Sequence, residues 1–142
     1  MLVGFVGCPS SGKTTTAALI FAQLKKMGLA TEFIPEQARF YIAQKRVINH
    51  LTPSDPVKLS DTDQAAIMKM QVEWESTLLE SCGKSVIVLT DSASYLSLVY
   101  MEKPDLLIPA LKQIHPYNVL FYCPPLPYAN VKDPNRIHSQ GQ

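Results

Sequence analysis

A run of residue types suited to holding phosphate lies near the N-terminus. It begins at Gly7 and ends at Thr14, and it matches the pattern G-x-x-x-x-G-K-[ST]. Glycines let a backbone approach an anion and turn its N–H groups toward it. The lysine ammonium suits the β- and γ-phosphates, and the next hydroxyl suits Mg²⁺. The pattern predicts a site for ATP with Mg²⁺, formed by Gly7, Cys8, Pro9, Ser10, Ser11, Gly12, Lys13, Thr14 and Thr15.

Asp91 is the second candidate, because it follows the apolar run 86–89 by two residues. In phosphate-loop enzymes a carboxylate at the end of a neighbouring strand organises the metal, so Asp91 and Thr14 are the predicted Mg²⁺ ligands. Asp91 would otherwise take the proton of the acceptor. The alternative is structural: Asp91 followed by Ser92 is also a good N-cap for a following helix.

Glu36 and Arg39 form the third candidate, since residues three apart lie on one face of a helix. The carboxylate could accept a substrate hydroxyl while the guanidinium faces a phosphate. An exposed ion pair of little energetic consequence explains the spacing equally well. Near the C-terminus, Arg136 lies in a polar tail that could close over transferring phosphates as a lid, or could be a solvated terminal segment.

The elements that would position these residues are visible as apolar patterns. Strand-like runs cover 2–6, 30–34, 85–89 and 118–122, and helical patterns follow the phosphate loop and begin again at Pro35, continuing through Ile42. Shorter helices are predicted over 94–100 and 106–114. This alternation predicts an α/β fold, a doubly wound parallel sheet of four or five strands flanked by helices. The whole chain, 1–142, would be one domain, with a lid or tail over about 123–142.

A long helix is predicted between the second and third strands. Ser60 and Asp63 have the spacing of a capping box, and Gly83 would end the helix. The face that carries Ile67, Met70, Trp74 and Leu78 is predicted to pack into the core, in preference to a role for Met70 and Trp74 in stacking on a base.

Composition narrows the class of protein. The chain has 142 residues, 46% of them hydrophobic, 18% charged, and a formal net charge of +1, which argues against a broad surface for duplex nucleic acid. Cys8, Cys82 and Cys123 lack metal-site spacing, which favours free thiols in a reducing compartment. Neither a signal peptide nor a membrane span is recognisable. We therefore expect a cytoplasmic protein.

The motifs together resemble one family. The segments that carry the resemblance are 7–15, 35–41, 88–91 and 122–136, and the pattern E-x-x-R after the second strand and P-P…D-x-x-R after the fourth are its most specific parts. They are similar to the small AAA-type, NadR-like nucleoside kinases, which include the ribosylnicotinamide kinase domain and its phage and bacterial relatives. The resemblance implies that Glu36 and Arg39 handle the substrate, that Asp91 acts as base or metal organiser, and that Arg136 is the lid arginine. The chain departs from the family at Leu89, where relatives often carry an acidic residue.

The sequence thus predicts a P-loop kinase that transfers the γ-phosphoryl group of ATP to a nucleoside, a nucleotide or a nucleoside-like hydroxyl. Its catalytic residues would be Lys13, Glu36, Arg39, Asp91 and Arg136. The partner would be a small molecule; a modified base in DNA is a less favoured acceptor. The alternatives are a regulatory ATPase switch, and a nucleotide-binding domain without activity.

Overall fold

The computed structural model of the chain describes residues 1–107 and 111–126. Four strands are present: β1 (Leu2–Val6), β2 (Thr31–Ile34), β3 (Ile87–Thr90) and β4 (Val119–Tyr122). Three α-helices are present in the described ranges: α1 (Lys13–Lys26), α2 (Gln37–Ile48) and α3 (Asp61–Cys82). In the described part of the segment between β3 and β4 there are two 3-10 helices, Ser94–Tyr100 and Pro104–Leu107.

The strands form one parallel sheet in the order β2-β3-β1-β4. Val3 of β1 lies opposite Leu89 on one side and Val119 on the other. The carboxyl end of β1 therefore lies between the ends of β3 and β4, the edge where α/β sheets bind their ligands. The predicted parallel α/β sheet is confirmed.

Helices cover both faces of this sheet. On one face, Val3, Phe5 and Leu89 pack with Ala17 of α1. On the other face, Leu2 and Val88 pack with the end of α3. Val88 and Leu89, adjacent in β3, are each 1% exposed on opposite faces, which explains why this strand is a continuous apolar run. The fold is doubly wound, as the sequence predicts.

The long helix α3 begins as predicted, but its buried face differs from the predicted one. Its capping box is present: Ser60 accepts from the backbone of Asp63, and the Asp63 carboxylate accepts from the backbone of Ser60. The predicted core packing of this face is confirmed for Ile67, which is 5% exposed, and is wrong for Trp74, which is 52% exposed. The buried face is rotated and carries Gln71 and Glu75, which are polar and so gave no apolar signal.

Element ends also differ from the sequence prediction. Helix α2 continues to Ile48, and the segment 94–100 is a 3-10 helix. Of the helix predicted over 106–114, residues 108–110 are outside the described part, and Leu107 ends a 3-10 helix. Most of the predicted lid, residues 127–142 with Arg136, also lies outside it. In the part that is described, every helix is too short or too polar to cross a membrane.

Candidate functional site

The loop after β1 has a backbone conformation that requires glycine at two positions. Gly12, the N-cap of α1, has φ 83°, in the left-handed region, and Ser10 has φ 64°. Gly7 has φ 151°, and a Cβ there would lie 2.3 Å from the carbonyl oxygen of Cys123, just after β4. No other residue fits at Gly7 without moving backbone. The two glycines of the sequence motif are therefore explained by local geometry.

Lys13 lies against this loop. Its Nζ donates to the carbonyl oxygens of Gly7 at 2.9 Å and Cys8 at 3.0 Å, and the residue is 9% exposed. The loop thus holds an ammonium group beside the N-terminus of α1, where the helix dipole also favours an anion. The arrangement suits a polyphosphate group.

Asp91 lies directly after β3, next to the loop because β3 pairs with β1. The residue is 1% exposed, and among the described residues its Oδ1 has no hydrogen-bond partner. The pKa of Asp91 is raised to about 6, and burial is the largest cause of the rise. A hydrogen bond from the Thr14 hydroxyl lowers the pKa, whereas the negative charge of Glu36 raises it further. The positive charges of Arg39 and Lys13 lower the pKa again.

The structure does not support the helix-cap interpretation of Asp91. The 3-10 helix begins at Ser94, Ala93 precedes it, and it has no side-chain cap. A buried carboxylate oxygen that lacks a partner is costly unless a ligand meets it. Asp91 and the hydroxyl of Thr14 are both hard oxygen donors, so this pair fits Mg²⁺. In the described residues no group of three or more His, Cys, Asp or Glu side chains could hold a metal.

The pair predicted on α2 is present. Arg39 Nε donates to Glu36 Oε2 at 3.2 Å, as an i,i+3 ion pair. The side chains are 31% and 30% exposed, so the pair is sheltered rather than fully solvated. Glu36 immediately precedes α2 and therefore lies at the carboxyl end of β2.

A cavity joins this pair to the phosphate loop. This outer cavity encloses about 740 Å³, open solvent included, and its lining contains Glu36 and Arg39 together with the loop from Pro9 to Thr14. A smaller inner cavity of about 330 Å³ adjoins it between α2, α3 and the 3-10 helix 94–100. Glu36 and Tyr100 line both. The loop and the acid–base pair, far apart in sequence, therefore share one concave surface.

The structure thus brings Lys13, Thr14, Glu36, Arg39 and Asp91 to one edge of the sheet. Thr15, predicted to bind the nucleotide, is exposed in the first turn of α1. Other lining residues were not predicted as site residues; they are Gln37, Gln64, Gln71, Ser92, Ser94, Ser97, Leu96 and Tyr100. A sequence signal for two of them was present, because Gln64 and Gln71 lie among Ile67, Met68 and Val72 on α3.

Cys8, Cys82 and Cys123 form no disulfide, as expected for free thiols. Cys8 lies in the phosphate loop, and Cys123 is buried beside it. Burial raises the pKa of the Cys123 thiol, and the positive charge of Lys13 offsets this only in part. The raised pKa favours the protonated, unreactive form of the thiol.

Comparison with known proteins identifies the family. No curated protein matches the chain. A solved structure titled "Crystal structure of APE1195" is 19% identical, with a TM-score of 0.43; the match covers 85% of this chain and 83% of that one. The model of a family described as an AAA domain matches residues 2–142 and is consistent with the P-loop and the parallel sheet. A domain of this kind suggests that a nucleotide is bound or hydrolysed. The chain belongs to the AAA domain family.

Proposed function

We propose that this chain is a small-molecule kinase that transfers the γ-phosphoryl group of ATP, bound with Mg²⁺, to the hydroxyl of a nucleoside-like acceptor. The observation that carries the proposal is the outer cavity, in which Glu36 and Arg39 face the phosphate loop across one open space. Hydrolysis can also use a carboxylate and an arginine beside the γ-phosphate, so it is the cavity space adjoining this pair that favours an acceptor larger than water. A site for transfer needs groups that position an acceptor.

The phosphates would be held by the loop amides and by Lys13, which already lies among the loop carbonyls. Thr14 and Asp91 would hold Mg²⁺, which supplies positive charge to the phosphate oxygens when it is bound. Arg39 would help Glu36 to hold the acceptor, since its guanidinium carries charge at any working pH and can bond two oxygens at once.

Glu36 would orient the acceptor. The acceptor hydroxyl oxygen forms a bond to the γ-phosphorus, the bond from that phosphorus to the bridging oxygen breaks, and ADP leaves with the bond's electron pair. The hydroxyl proton goes to the Glu36 carboxylate. We assign this role to Glu36 rather than to Asp91, because Glu36 lines both cavities whereas Asp91 is 1% exposed beneath the loop.

The inner cavity favours an acceptor that carries no negative charge. The described side chains that line it include Glu36 but no Lys, Arg or His, and its polar groups are amides and hydroxyls such as Gln64, Ser97 and Tyr100. A phosphomonoester would enter this space without a cation to pair with, which is costly. We therefore propose a nucleoside ahead of a nucleotide. A ribosylnicotinamide-like substrate would fit the NadR-like resemblance, and Arg136 remains the proposed lid arginine on the sequence alone.

A phosphoryl-transfer experiment tests the proposal. The chain is incubated with γ-³²P-ATP and Mg²⁺, and with one of four acceptors: neutral nucleosides, nicotinamide riboside, nucleoside monophosphates or modified DNA. The Lys13→Ala protein is the blank, and Lys26→Ala, exposed on the same helix, is the matched control. Label on a nucleoside is the expected result. Label found only as free phosphate would reject the kinase and leave an ATPase or switch.

A further inference from the structure

A cluster of buried polar side chains lies beneath the site, where a core is ordinarily apolar. Its members are Gln71 and Glu75 on α3, Thr90 at the end of β3, and Tyr117 shortly before β4. Gln71 is 3% exposed, and Glu75 and Thr90 are each 0% exposed. Burying amide and carboxyl groups is unfavourable unless each group is hydrogen-bonded. A buried polar cluster of this kind therefore calls for a structural or functional explanation.

The Gln71 amide joins two segments of the chain. Its Nε2 donates to Thr90 Oγ1 at 2.8 Å, and its Oε1 accepts from the backbone N–H of Gln37 at 3.4 Å. Thr90 directly precedes Asp91, and Gln37 directly follows Glu36. One side chain on α3 therefore contacts the neighbours of both carboxylates that the proposed reaction uses.

Glu75 and Tyr117 hold this amide in its orientation. Glu75 Oε1 accepts from Gln71 Nε2 at 3.2 Å and from the Tyr117 hydroxyl at 2.7 Å. The Tyr117 oxygen in turn accepts from the backbone N–H of Ser94 at 2.7 Å. With its nitrogen engaged by Glu75, the Gln71 amide must present its oxygen to Gln37.

The chemistry of Glu75 suits a structural acceptor. Burial raises the pKa of its carboxyl, and donation from Tyr117, Gln71 and Ser94 offsets this only in part. Among the described residues, Oε2 has no partner. A glutamine at this position would keep one acceptor oxygen for the two donors, whereas a leucine would remove it.

We propose that Gln71 is a positioning residue that sets the separation and orientation of Glu36 relative to Asp91, and that Glu75 and Tyr117 act through it. This inference rests on the proposed function for the roles of the two carboxylates. The hydrogen bonds of Gln71 go to Gln37, Glu75 and Thr90 and not to the phosphate loop, so its effect should fall on turnover and not on the affinity for nucleotide.

The first test compares variants of similar volume. Gln71→Met removes the three hydrogen bonds and should lower kcat at least tenfold while the Kd for ATP changes less than threefold. Glu75→Gln should keep kcat within threefold of the wild type, and Glu75→Leu should lower it as Gln71→Met does. Glu73→Gln, exposed on the same helix, is the control and should have no effect. Equal losses in Glu75→Gln and Glu75→Leu would overturn the inference, as would a kcat of Gln71→Met equal to the wild type.

A double-mutant cycle separates positioning from general destabilisation. In a Glu36→Gln background, Gln71→Met should lower kcat less than twofold, since the group that it positions is gone. Independent losses that multiply would overturn the inference. If Gln71→Met does not fold, Tyr117→Phe, which removes one oxygen, takes its place with the same two outcomes.

Failure of the proposed function is distinguishable from failure of this inference. If the wild type phosphorylates no acceptor, the kinase proposal fails, and the cycle is measured on ATP hydrolysis with Asp91→Asn as the background. Loss of the Gln71→Met effect in that background supports positioning. Multiplying losses overturn it.

Discussion

The proposed phosphate side and the proposed acceptor side of the site are built in different ways. The phosphate side is one contiguous segment, 7–14, whose side-chain contacts are local: the Lys13 ammonium reaches carbonyls six and five residues back. The acceptor side is assembled from the end of β2, helices α2 and α3, and the segment after β3. Its contacts join residues 34 and 19 apart, as for Gln71 with Gln37 and with Thr90.

This difference has a physical consequence. A local loop depends on its own glycines and on the strand and helix at its ends, so substitutions elsewhere should leave it intact. The acceptor side depends on the relative placement of these four segments, so loss of a contact made by α3 can move a carboxylate that α3 does not touch. The two halves should therefore respond differently to substitution, and nucleotide affinity and turnover should separate.

The largest expected effect is on the phosphate side. Lys13→Ala removes the ammonium that faces the phosphates and should weaken ATP binding by about a hundredfold to a thousandfold, in line with loss of a charge-assisted contact. The melting temperature should change little, because Lys13 contacts the loop rather than an apolar cluster. Calorimetric titration with ATP and Mg²⁺ checks this, with Lys26→Ala as control. Wild-type affinity in Lys13→Ala would contradict the proposed phosphate site.

Asp91 lies between the phosphate side and the acceptor side, because its pKa responds to Lys13 as well as to Glu36 and Arg39. Asp91→Asn therefore tests the region where the two sides meet. The substitution should lower kcat by about a hundredfold or more, because a metal-organising charge is lost, while ATP binding falls much less. The unliganded variant should also unfold at a higher temperature than the wild type at neutral pH. The reason is that burial disfavours the Asp91 carboxylate, and a neutral amide avoids that cost. Single-turnover kinetics and thermal unfolding measure the two effects; a wild-type rate would exclude a role for Asp91 in the reaction.

The same contrast explains how much the sequence could predict. The loop was found because its residues are consecutive and its chemistry depends on type and spacing alone. The position of Asp91 beside the loop could be predicted because the carboxyl ends of parallel strands meet at one edge of the sheet. Each of these inferences needs only local pattern and the sheet rule.

The acceptor side was predicted less completely, and α3 shows why. Apolar periodicity selected the face of Trp74, but the buried face carries Gln71 and Glu75, whose burial is made favourable by partners on other elements. A hydrogen bond between residues 42 apart, as from Tyr117 to Glu75, leaves no periodic signal. The sequence signal for this buried polar face was the spacing of Gln71 and Glu75, which lie four residues apart and next to the core residues Met68 and Val72. Arg136 lies outside the described residues and stays a prediction from sequence.

Arg39→Ala should affect the acceptor half selectively. Removal of the guanidinium should raise the KM for the acceptor about tenfold, the effect of one lost charged hydrogen bond, and change the Kd for ATP less than threefold. Gln44→Ala, exposed on the same helix, is the matched control. Initial rates at varied acceptor concentration give the measurement. Equal losses for ATP and acceptor would place Arg39 on the phosphate side and weaken the division between the halves.

The smallest expected effect is at the joint between α2 and α3, the contact that Asp63 of α3 makes with Tyr41 and Lys45 of α2. Asp63 accepts from the Tyr41 hydroxyl at 2.7 Å and from Lys45, both on α2, as well as from the backbone of Ser60. Burial raises the pKa of Asp63, but the donors Lys45, Ser60 and Tyr41 outweigh it and hold the pKa well below its ordinary 3.8. The folded state therefore favours the charged carboxylate.

The sign of the pH dependence follows. The stability that Asp63 contributes is fully present above its unfolded pKa and is lost as the pH falls below about 4 toward the lower folded value. Asp63→Asn should cost about 1–2 kcal/mol of unfolding free energy at pH 7, and the difference from the wild type should shrink between pH 4 and pH 2. Urea unfolding at several pH values measures it, with Glu73→Gln as the control. ATP affinity should stay at the wild-type value throughout the neutral range, because the joint lies behind the acceptor half. A difference that does not change with pH would mean that Asp63 acts through packing and not through its charge.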